Sequence, residues 1–363
     1  MLLARQSKKV VRAVEVGFTN NKFIVSASVN EGGKVRLPTA SFFPSVVTTP
    51  PARNISASLG ARRDTFRTEV NGVIYEVGPD ARLALAGNAS GQDMNTGWIL
   101  SDHYTALVHG ALHYMNAPDQ IDLLVLSLPV SVYKDENCEK LSARFAGADH
   151  MIGEGDEKRS IHVDKVLVLP QPYGGFAWMI HNNEDLYEEL AQPDSIALVI
   201  DPGYNTVDWL MVQGGSSILD GRTNAAENAG MVRVLSAMAD AISRDTGTDI
   251  GPLYRLDEAI RDGRGLPIRG QRYEITEELK SLGKQAAYES IQRMLRGVGS
   301  INDITHVFLV GGAAPWFYEA VCDIFAGYKI VTAKQTESEL NAMESLLANA
   351  LGLQLIGEMR LAD

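Results

Sequence analysis

Two short stretches of the sequence combine an acidic residue, a glycine, hydroxyl side chains and amide side chains. The first is EVGFTNNK at residues 15–22, and the second is DPGYNTVD at residues 201–208. A glycine lets backbone N–H groups approach a phosphate, and a carboxylate at a strand end can hold the hydration shell of Mg²⁺. One such stretch is most often ordinary turn chemistry, because Gly and Asn suit tight turns. A matched pair favours a site for a phosphate and its metal ion.

A third stretch, VGGAA at residues 310–314, is a predicted strand that leads into a glycine pair and then into a helix. Glycines at this point allow a purine base or a ribose to lie flat against the backbone. The alternative is a strand-to-helix turn with close packing. The sequence contains neither a P-loop motif nor the GxGxxG fingerprint of dinucleotide-binding proteins.

The elements that carry these stretches occur twice in the same order. The two acidic stretches begin 186 positions apart, and the apolar strands that begin at Leu123 and His306 are 183 positions apart. In each half, the apolar pattern predicts a hairpin, at residues 10–29 and 196–213, followed by further helices and strands. This duplication indicates two similar α/β halves, with mixed sheets under helices and a ligand cleft between the halves.

Hydrophobic periodicity predicts the remaining elements of each half. The predicted helices lie at residues 101–115, 225–244 and 276–296, and the predicted strands at 121–128, 165–169, 306–310 and 329–332. The QPYGG segment, which follows Pro170, is predicted to be a loop that leads into a helix-like stretch. A terminal helix closes the chain.

The predicted domain organisation follows from the repeat and from shifts in composition. We expect a flexible leader at residues 1–9, a first domain at 10–192 and a second domain at 193–363. Frequent Gly, Pro, Ser and Thr indicate an inserted subdomain at about 30–97, and a helical insertion is expected at about 218–300.

Composition excludes several classes of protein. The chain has 33 Lys and Arg residues against 45 Asp and Glu residues, and the net charge of −12 opposes tight nonspecific binding to nucleic acid phosphates. The longest apolar runs are far shorter than the roughly 20 residues of a membrane span, and the first residues do not resemble a signal peptide. Cys138 and Cys322 have no metal-ligand spacing. We therefore expect a cytoplasmic protein without direct nucleic-acid or membrane contacts.

Two histidines have a spacing that also suits metal ligands. His109 and His113 are four positions apart on a predicted helix, but no third ligand accompanies them. Solvated or helix-capping histidines are the expected outcome.

Taken together, these motifs resemble those of the actin and sugar-kinase ATPase superfamily, and most of all its plasmid-segregation branch, the ParM or StbA actin-like proteins. The resemblance covers residues 10–352 and rests on residues 15–22, the Leu-Pro pair at 128–129, residues 201–208 and residues 310–313. The IDPGYNTVD segment is its most specific part. The resemblance implies an actin-like fold of two similar α/β domains around a nucleotide cleft, with ATP and Mg²⁺ as ligands.

The resemblance also implies roles for individual residues. The first phosphate loop would comprise Gly17, Phe18, Thr19, Asn20 and Lys22, the second Gly203, Tyr204, Asn205 and Thr206, and the adenosine loop Gly311, Gly312 and Ala313. Glu15 and Asp201 would face the waters of Mg²⁺. Glu15 is one methylene longer than the usual aspartate, so either its strand lies further from the metal or hydrolysis is tuned differently.

The resemblance places two further polar residues near the attacking water. Gln171 would orient this water rather than act as a strong base, because a neutral amide does not remove a proton effectively. Without the resemblance, Gln171 is a turn residue beside two prolines. Asp208 lies at the second position, or is a carboxylate on the strand surface. Two registers fit the closing helix, one that ends at Ser345 and one that ends at residues 349–352.

Three functions are compatible with these residues. The resemblance implies an ATPase that polymerises into filaments and segregates plasmid or other DNA cargo, through self-association and a DNA-binding adaptor protein. The alternatives are a small-molecule kinase for a sugar or carboxylate, and a nucleotide-binding scaffold that does not hydrolyse ATP. The sequence shows no acidic base with a sugar-binding polar cluster, which favours the filament class over the kinase.

Overall fold

The computed structural model describes residues 9–31, 34–50, 63–85, 97–181, 183–333 and 341–362. Two six-stranded mixed sheets form its framework. The first has the strand order β5-β2-β1-β8-β10-β9. Its strands are β1 (Val11–Val16), β2 (Asn20–Ser26), β5 (Thr39–Pro44), β8 (Gln120–Leu128), β9 (Ala148–Ile152) and β10 (Arg159–Pro170).

The second sheet repeats the centre of the first. Its order is β13-β12-β11-β17-β18, and β14 also pairs with β12. Its strands are β11 (Ile196–Pro202), β12 (Thr206–Gln213), β13 (Ser217–Ile218), β14 (Asn224–Glu227), β17 (His306–Leu309) and β18 (Lys329–Thr332). Three separate hairpins complete the strands: β3 (Val29–Glu31) with β4 (Lys34–Arg36), β6 (Phe66–Val70) with β7 (Val73–Val77), and β15 (Leu266–Ile268) with β16 (Gln271–Tyr273).

Helices pack on the sheets and connect the strands. In the described residues they are α1 (Asp102–Tyr114), α2 (Asp135–Phe145), α3 (Gln171–His181), α4 (Glu184–Leu190), α5 (Met231–Thr246), α6 (Tyr254–Asp262), α7 (Glu277–Val298), α8 (Ala314–Ile324) and α9 (Ala342–Ala362). No helix in these described ranges has both the length and the apolar content needed to cross a membrane.

The strand pairing shows the duplication directly. In both halves, a central strand pairs antiparallel with the next strand along the chain and parallel with a later one. Glu15 of β1 faces Lys22 of β2, and Asp201 of β11 faces Asp208 of β12. The prediction of two similar α/β halves is therefore confirmed at the level of individual residue pairs.

The last helix crosses from one half to the other. Helix α9 follows the second sheet in the chain, but Leu351 and Leu353 pack against Val11 and Leu123 of the first sheet. A Cβ atom on Gly357 would lie 2.7 Å from a side-chain carbon of Val11, so the helix lies directly on the strands. The sequence grouped this helix with residues 193–363, whereas its apolar face is buried against the first half.

Several predicted boundaries differ from the structure. The predicted insertion at 30–97 includes β5, which joins the first sheet, and it also includes the β6-β7 hairpin beside α1. The predicted insertion at 218–300 includes β14, which belongs to the second sheet, before the helices α5 to α7. The predicted leader, except for residue 9, lies outside the described residues.

The QPYGG segment is helical, which corrects its prediction as a loop. Helix α3 begins at Gln171, and its second position is proline, which is well tolerated in a first helical turn. Two adjacent glycines favour a loop over an isolated helix, because glycine destabilises a helix. In the structure, Gly174 faces the backbone oxygen of Asn349, and a Cβ atom there would lie 2.3 Å from it. Close contact with α9 therefore accounts for this glycine inside a helix.

Candidate functional site

A cavity of about 450 Å³ lies between the two halves, within the range of roughly 300 to 1,000 Å³ that is usual for ligand pockets. Every site residue predicted from the sequence lines it, except Gly311. The lining residues from that prediction are Glu15, Gly17, Phe18, Thr19, Asn20, Lys22, Gln171, Asp201, Gly203, Tyr204, Asn205, Thr206, Asp208, Gly312 and Ala313. The fold thus brings both acidic stretches, the glycine loop and Gln171 to one place.

The two acidic turns have equivalent backbone geometry. The N–H of Gly17 donates to the carbonyl of Asn20 at 3.1 Å, and the N–H of Gly203 donates to the carbonyl of Thr206 at 2.9 Å. A Cβ atom on Gly17 would lie 2.9 Å from the Asn20 oxygen, so this glycine is required by the turn itself. The N–H groups of Gly17 and Gly203 are thus used within their own turns.

Helix α5 holds the second turn against the cavity wall. Backbone N–H groups at its start donate to the carbonyls of Gly203 and Tyr204, at 3.0 and 2.8 Å. The first N–H groups of a helix lack partners inside the helix. These bonds therefore give partners both to the N–H groups of α5 and to the carbonyls of the turn. The turn at residues 203–206 is consequently fixed by the helix that follows it.

Glu15 forms a buried ion pair with the residue opposite it in the hairpin. The Lys22 Nζ lies 2.6 Å from Glu15 Oε1, and both side chains are buried. Glu15 Oε2 is buried too and has no hydrogen-bond partner. One oxygen of Glu15 therefore neutralises Lys22, while the other remains available for a ligand.

Asp201 occupies the equivalent position in the second half, but its surroundings differ. Its Oδ2 accepts a hydrogen bond of 2.7 Å from Asn349 Nδ2. A Cβ atom on Gly311 would lie only 1.9 Å from its Oδ1, so Gly311 packs directly against this carboxylate and does not line the cavity. Burial raises the pKa of Asp201 to about 6, with Lys22 opposing this rise and Glu15 adding to it.

Asp208 replaces lysine at the position equivalent to Lys22. The alternative of a carboxylate on the strand surface is wrong, because Asp208 is 4% exposed and lines the cavity. Its Oδ1 accepts a 2.9 Å hydrogen bond from the N–H of Val130, and Thr206 donates to its Oδ2. Burial raises the pKa of Asp208 to about 7. The second hairpin thus places two carboxylates at neighbouring strand positions where the first has an ion pair.

Gln171 stands at the first position of α3, where a helix N-terminus contributes a partial positive charge. Its side chain is 9% exposed, and its Nε2 has no hydrogen-bond partner in the structure. A buried amide N–H without a partner costs stability unless a ligand or water completes it. The position therefore suits a group that holds a water molecule in the cavity.

The residues fit a hydrated magnesium ion. Mg²⁺ usually keeps several waters and binds through one or two carboxylates together with substrate phosphates. Glu15 and Asp201 supply two carboxylates at one cavity, and the unpartnered Oε2 of Glu15 is a free acceptor. The described residues contain no cluster of three His, Cys, Asp or Glu side chains that would hold a metal directly. Coordination through water is the arrangement that these residues allow.

Besides the hydrogen bond from Val130 to Asp208, aromatic and charged side chains join the halves. The rings of Phe18 and Tyr204 stack with centroids 5.2 Å apart and an interplanar angle of 9°. These residues are equivalent in the repeat, so the two turns touch through matching side chains. Further out, Arg82 Nη1 lies 2.8 Å from Glu258 Oε1, and its guanidinium lies over the Tyr254 ring at 5.0 Å. Each of these contacts joins a residue of the first half to a residue of the second half.

Sequence reasoning missed further residues of the cavity wall. The additional lining residues include Glu227, Met231, Asp257, Ile260, Arg261, Trp316, Met343 and Leu346. Asp257 and Arg261 form an ion pair of 3.1 Å on helix α6, which was not predicted. Their i,i+4 spacing was the only local signal, and surface helices show it just as often.

The closing helix contributes Asn349, and its register is now defined. Gly352 packs against Gly174, and a Cβ atom on Gly352 would lie 1.8 Å from the Gly174 oxygen. Of the two registers expected for the closing helix, the one that ends at residues 349–352 agrees with this contact between α9 and α3. In this register Asn349 reaches Asp201.

The two spaced histidines lie away from this cavity. His109 is buried, and its Nδ1 lies 2.9 Å from Thr68 Oγ1, so the expectation of a solvated or capping residue is wrong. Burial lowers the pKa of His109 to about 3. His113 stacks on Phe66 with centroids 3.9 Å apart.

Comparisons with known proteins agree on the architecture. The family model of the N-terminal domain of actin-like proteins matches residues 13–174, and that of the C-terminal domain of MreB-like archaeal actin homologues matches residues 199–322. Together the two models cover most of both halves. A comparison with curated proteins gives no match.

Solved structures share the fold over almost the whole chain. An archaeal actin homologue has a TM-score of 0.72 at 19% identity, covering 97% of this chain and 99% of that one. The same archaeal homologue in complex with ADP has a TM-score of 0.69 at 18% identity, covering 97% and 99%. A 15-stranded ParM filament from Clostridium botulinum has a TM-score of 0.72 at 16% identity, covering 97% and 100%.

The duplicated sheets, the crossing of α3 with α9 and the cleft between the halves define an actin-like fold. This confirms the fold class predicted from the sequence. The chain belongs to the actin-like protein family, whose ParM members and archaeal homologues share its architecture.

Proposed function

We propose that this chain binds Mg²⁺-ATP in the cleft between its halves and hydrolyses it. The observation that supports this most directly is the convergence of Glu15 and Asp201, from equivalent hairpins, on one cavity. The hydroxyl and amide groups of residues 19–20 and 205–206 lie beside these acids. A triphosphate between the two turns would share the metal with both carboxylates. Gly312 and Ala313 line the same cavity, and the base and ribose would lie on their side of it.

The hydrolytic step would need little chemistry from the protein beyond positioning and charge. When bound, Mg²⁺ neutralises charge on the phosphates. Gln171 holds the attacking water through its amide, because its Nε2 is buried and lacks a partner in the protein. The N-terminus of α3 supplies partial positive charge for the transition state, and Lys22 lines the same cavity in its ion pair with Glu15. Asp208, with its raised pKa, is the second polar group near this water.

Filament assembly is the second part of the proposal. The ParM neighbour was solved as a filament, and a second ParM neighbour is a quadruple mutant that does not polymerise. A head-to-tail contact that does not close on itself produces a filament. We infer that copies of this chain self-associate in this way and that nucleotide state controls the assembly.

The cellular role proposed here is segregation of a plasmid or another DNA cargo in the cytoplasm. The net charge of −12 opposes direct contact with DNA phosphates, so an adaptor protein would link the filament to its cargo. The resemblance to ParM proteins supports this role.

A nucleotide-binding scaffold that does not hydrolyse ATP is the second candidate. It is favoured by the neutral amide of Gln171 at the start of α3, where a carboxylate would provide a base. It is also favoured by the Lys22 ion pair, which occupies one oxygen of Glu15.

Sedimentation, electron microscopy and phosphate release with Mg²⁺-ATP, Mg²⁺-ADP and a nonhydrolysable analogue test the proposal together. We expect pelleted filaments with Mg²⁺-ATP or the analogue, and phosphate release only with Mg²⁺-ATP. Filaments without phosphate release would support the scaffold. A chain that binds ATP but stays monomeric well above micromolar concentration in every nucleotide state would refute the filament proposal. Running the assays with GTP in parallel identifies the preferred base.

A further inference from the structure

One buried hydrogen bond joins the cleft to the helix that crosses between the halves. Asn349 lies in α9, which packs on the first sheet, whereas Asp201 ends a strand of the second sheet. The Asn349 Nδ2 donates to Asp201 Oδ2 at 2.7 Å, and the two side chains are 1% and 6% exposed. The carboxylate proposed to face the metal is therefore held by a residue of the crossing helix.

Glycines leave room for this asparagine on the side of α3. A Cβ atom on Gly175 would lie 2.5 Å from Asn349 Oδ1, and one on Gly174 would lie 2.3 Å from the Asn349 backbone oxygen. Helices α3 and α9 consequently meet backbone to backbone, and Asn349 is confined between them. Asn349 Oδ1 is buried without a hydrogen-bond partner. Since an unpaired buried oxygen costs stability, packing alone does not explain an asparagine here.

Asp201 is confined on its other side as well. The Cα atom of Gly311 approaches it so closely that a Cβ atom would lie 1.9 Å from Asp201 Oδ1. The carboxylate therefore has one oxygen against a glycine and the other bonded to Asn349. An amide donor fixes a carboxylate without cancelling its charge, whereas a lysine at this place would neutralise it. This choice of donor suits a carboxylate that has to attract a cation.

We propose that Asn349 is the positioning residue of Asp201. It fixes the rotation of the carboxylate toward the metal waters and makes that rotation depend on the crossing of α3 and α9. Helix α3 also carries Gln171, so the same crossing positions the groups for the metal and for the attacking water. This inference rests on the proposed binding of Mg²⁺-ATP.

The first test compares Asn349→Asp with a matched control. Asn349→Asp keeps the shape of the side chain and replaces the donor by a carboxylate. Gln354→Glu makes the same change in the same helix, at a buried amide that donates to Val11 and Glu358 instead of the cleft. Calorimetry measures ATP affinity with Mg²⁺ and with EDTA for both variants. Such a titration reports binding independently of turnover.

We expect Asn349→Asp to weaken Mg²⁺-ATP binding by roughly tenfold to a hundredfold, the scale of a lost hydrogen bond to a charged group. Its ATP affinity in EDTA and both affinities of Gln354→Glu should stay near those of the wild-type chain. Unchanged Mg²⁺-ATP affinity in Asn349→Asp would overturn the inference. An equal loss of Mg²⁺-ATP affinity in Gln354→Glu would also overturn it. Such a loss would show that any destabilisation of α9 weakens binding, without a specific role for Asn349.

A second test does not require nucleotide binding. In EDTA at pH 8, thermal unfolding compares Asn349→Ala in the wild-type chain and in the Asp201→Ala background. We expect a drop in midpoint temperature in the wild-type chain and a clearly smaller drop in the background without the carboxylate. Equal drops would show that the two side chains are not coupled. If the wild-type chain binds no Mg²⁺-ATP, the proposed function fails, and this comparison still decides whether Asn349 holds Asp201.

Discussion

Replacing Gly311 by alanine should damage the site more than any other single methyl group added to the glycine loop. Gly311 has a φ of +88°, which L side chains rarely adopt, and its Cβ atom would lie 1.9 Å from Asp201 Oδ1. The strained backbone costs roughly 1 to 2 kcal/mol. Displacing Asp201 from Asn349 removes a hydrogen bond to a charged group, worth about 1.5 to 3 kcal/mol. The expected loss in the free energy of unfolding is therefore about 2.5 to 5 kcal/mol.

Gly312→Ala is the matched control for this change. Its Cβ atom would meet Leu346 Cδ1 at 2.7 Å, the far end of a flexible side chain that can move away. Urea unfolding measures the stability of both variants, and calorimetry measures Mg²⁺-ATP binding. We expect Gly311→Ala to bind at least about tenfold more weakly, from the loss of about 1.4 kcal/mol or more, and Gly312→Ala to keep a stability near that of the wild-type chain. Equal stability and affinity in the two variants would refute the assignment of Gly311 to the support of Asp201.

Three further predictions concern single side chains. Gln171→Ala should retain ATP affinity but release phosphate roughly a hundredfold more slowly, and an unchanged rate in a phosphate-release assay would move the role to another residue. His109 has a folded pKa of about 3, below its ordinary 6.5, so its contribution to stability is lost as pH falls from 6.5 toward 3. Between pH 8 and pH 5 the wild-type chain should lose about 2 kcal/mol more than His109→Gln in urea unfolding, and parallel pH profiles would contradict this. Asp208 has a folded pKa of about 7, above its ordinary 3.8, so in EDTA it disfavours the folded state increasingly as pH rises from 4 to 7. Asp208→Asn should remove about 4 kcal/mol of that loss at most, and a pH profile identical to wild type would exclude a buried carboxylate there.

The fold was predictable because its signals are local and repeated. The hairpins around Glu15 and Asp201 have buried, β-branched strands joined by glycine turns, and the spacing of the two motifs revealed the duplication. Hydrophobic alternation determines which side of a strand faces the core, so the strands could be located from the sequence. The acidic turns were found from their repetition, and the phosphate loops and Gln171 were implied by the family resemblance.

The parts that were missed depend on contacts between distant segments. Gly174 lies in a helix because the Asn349 backbone approaches it, and nothing in the local sequence of α3 records that approach. The close approach of Gly311 to Asp201 was not expected, since the glycine pattern of this loop does not record it. Asp257 lines the cavity from helix α6, whose apolar periodicity was not recognised in the sequence. The positions of these three residues depend on tertiary packing.

Calorimetric titration of ATP into the wild-type chain and into Asp201→Ala, with Mg²⁺ and with EDTA, tests the central claim most directly. The claim is that two equivalent turns form one Mg²⁺-nucleotide site. It predicts binding of one ATP per chain that is tighter with Mg²⁺ than with EDTA in the wild type, and loss of that Mg²⁺ dependence in Asp201→Ala. ATP binding with the same affinity in all four titrations, or no binding in any of them, would contradict it.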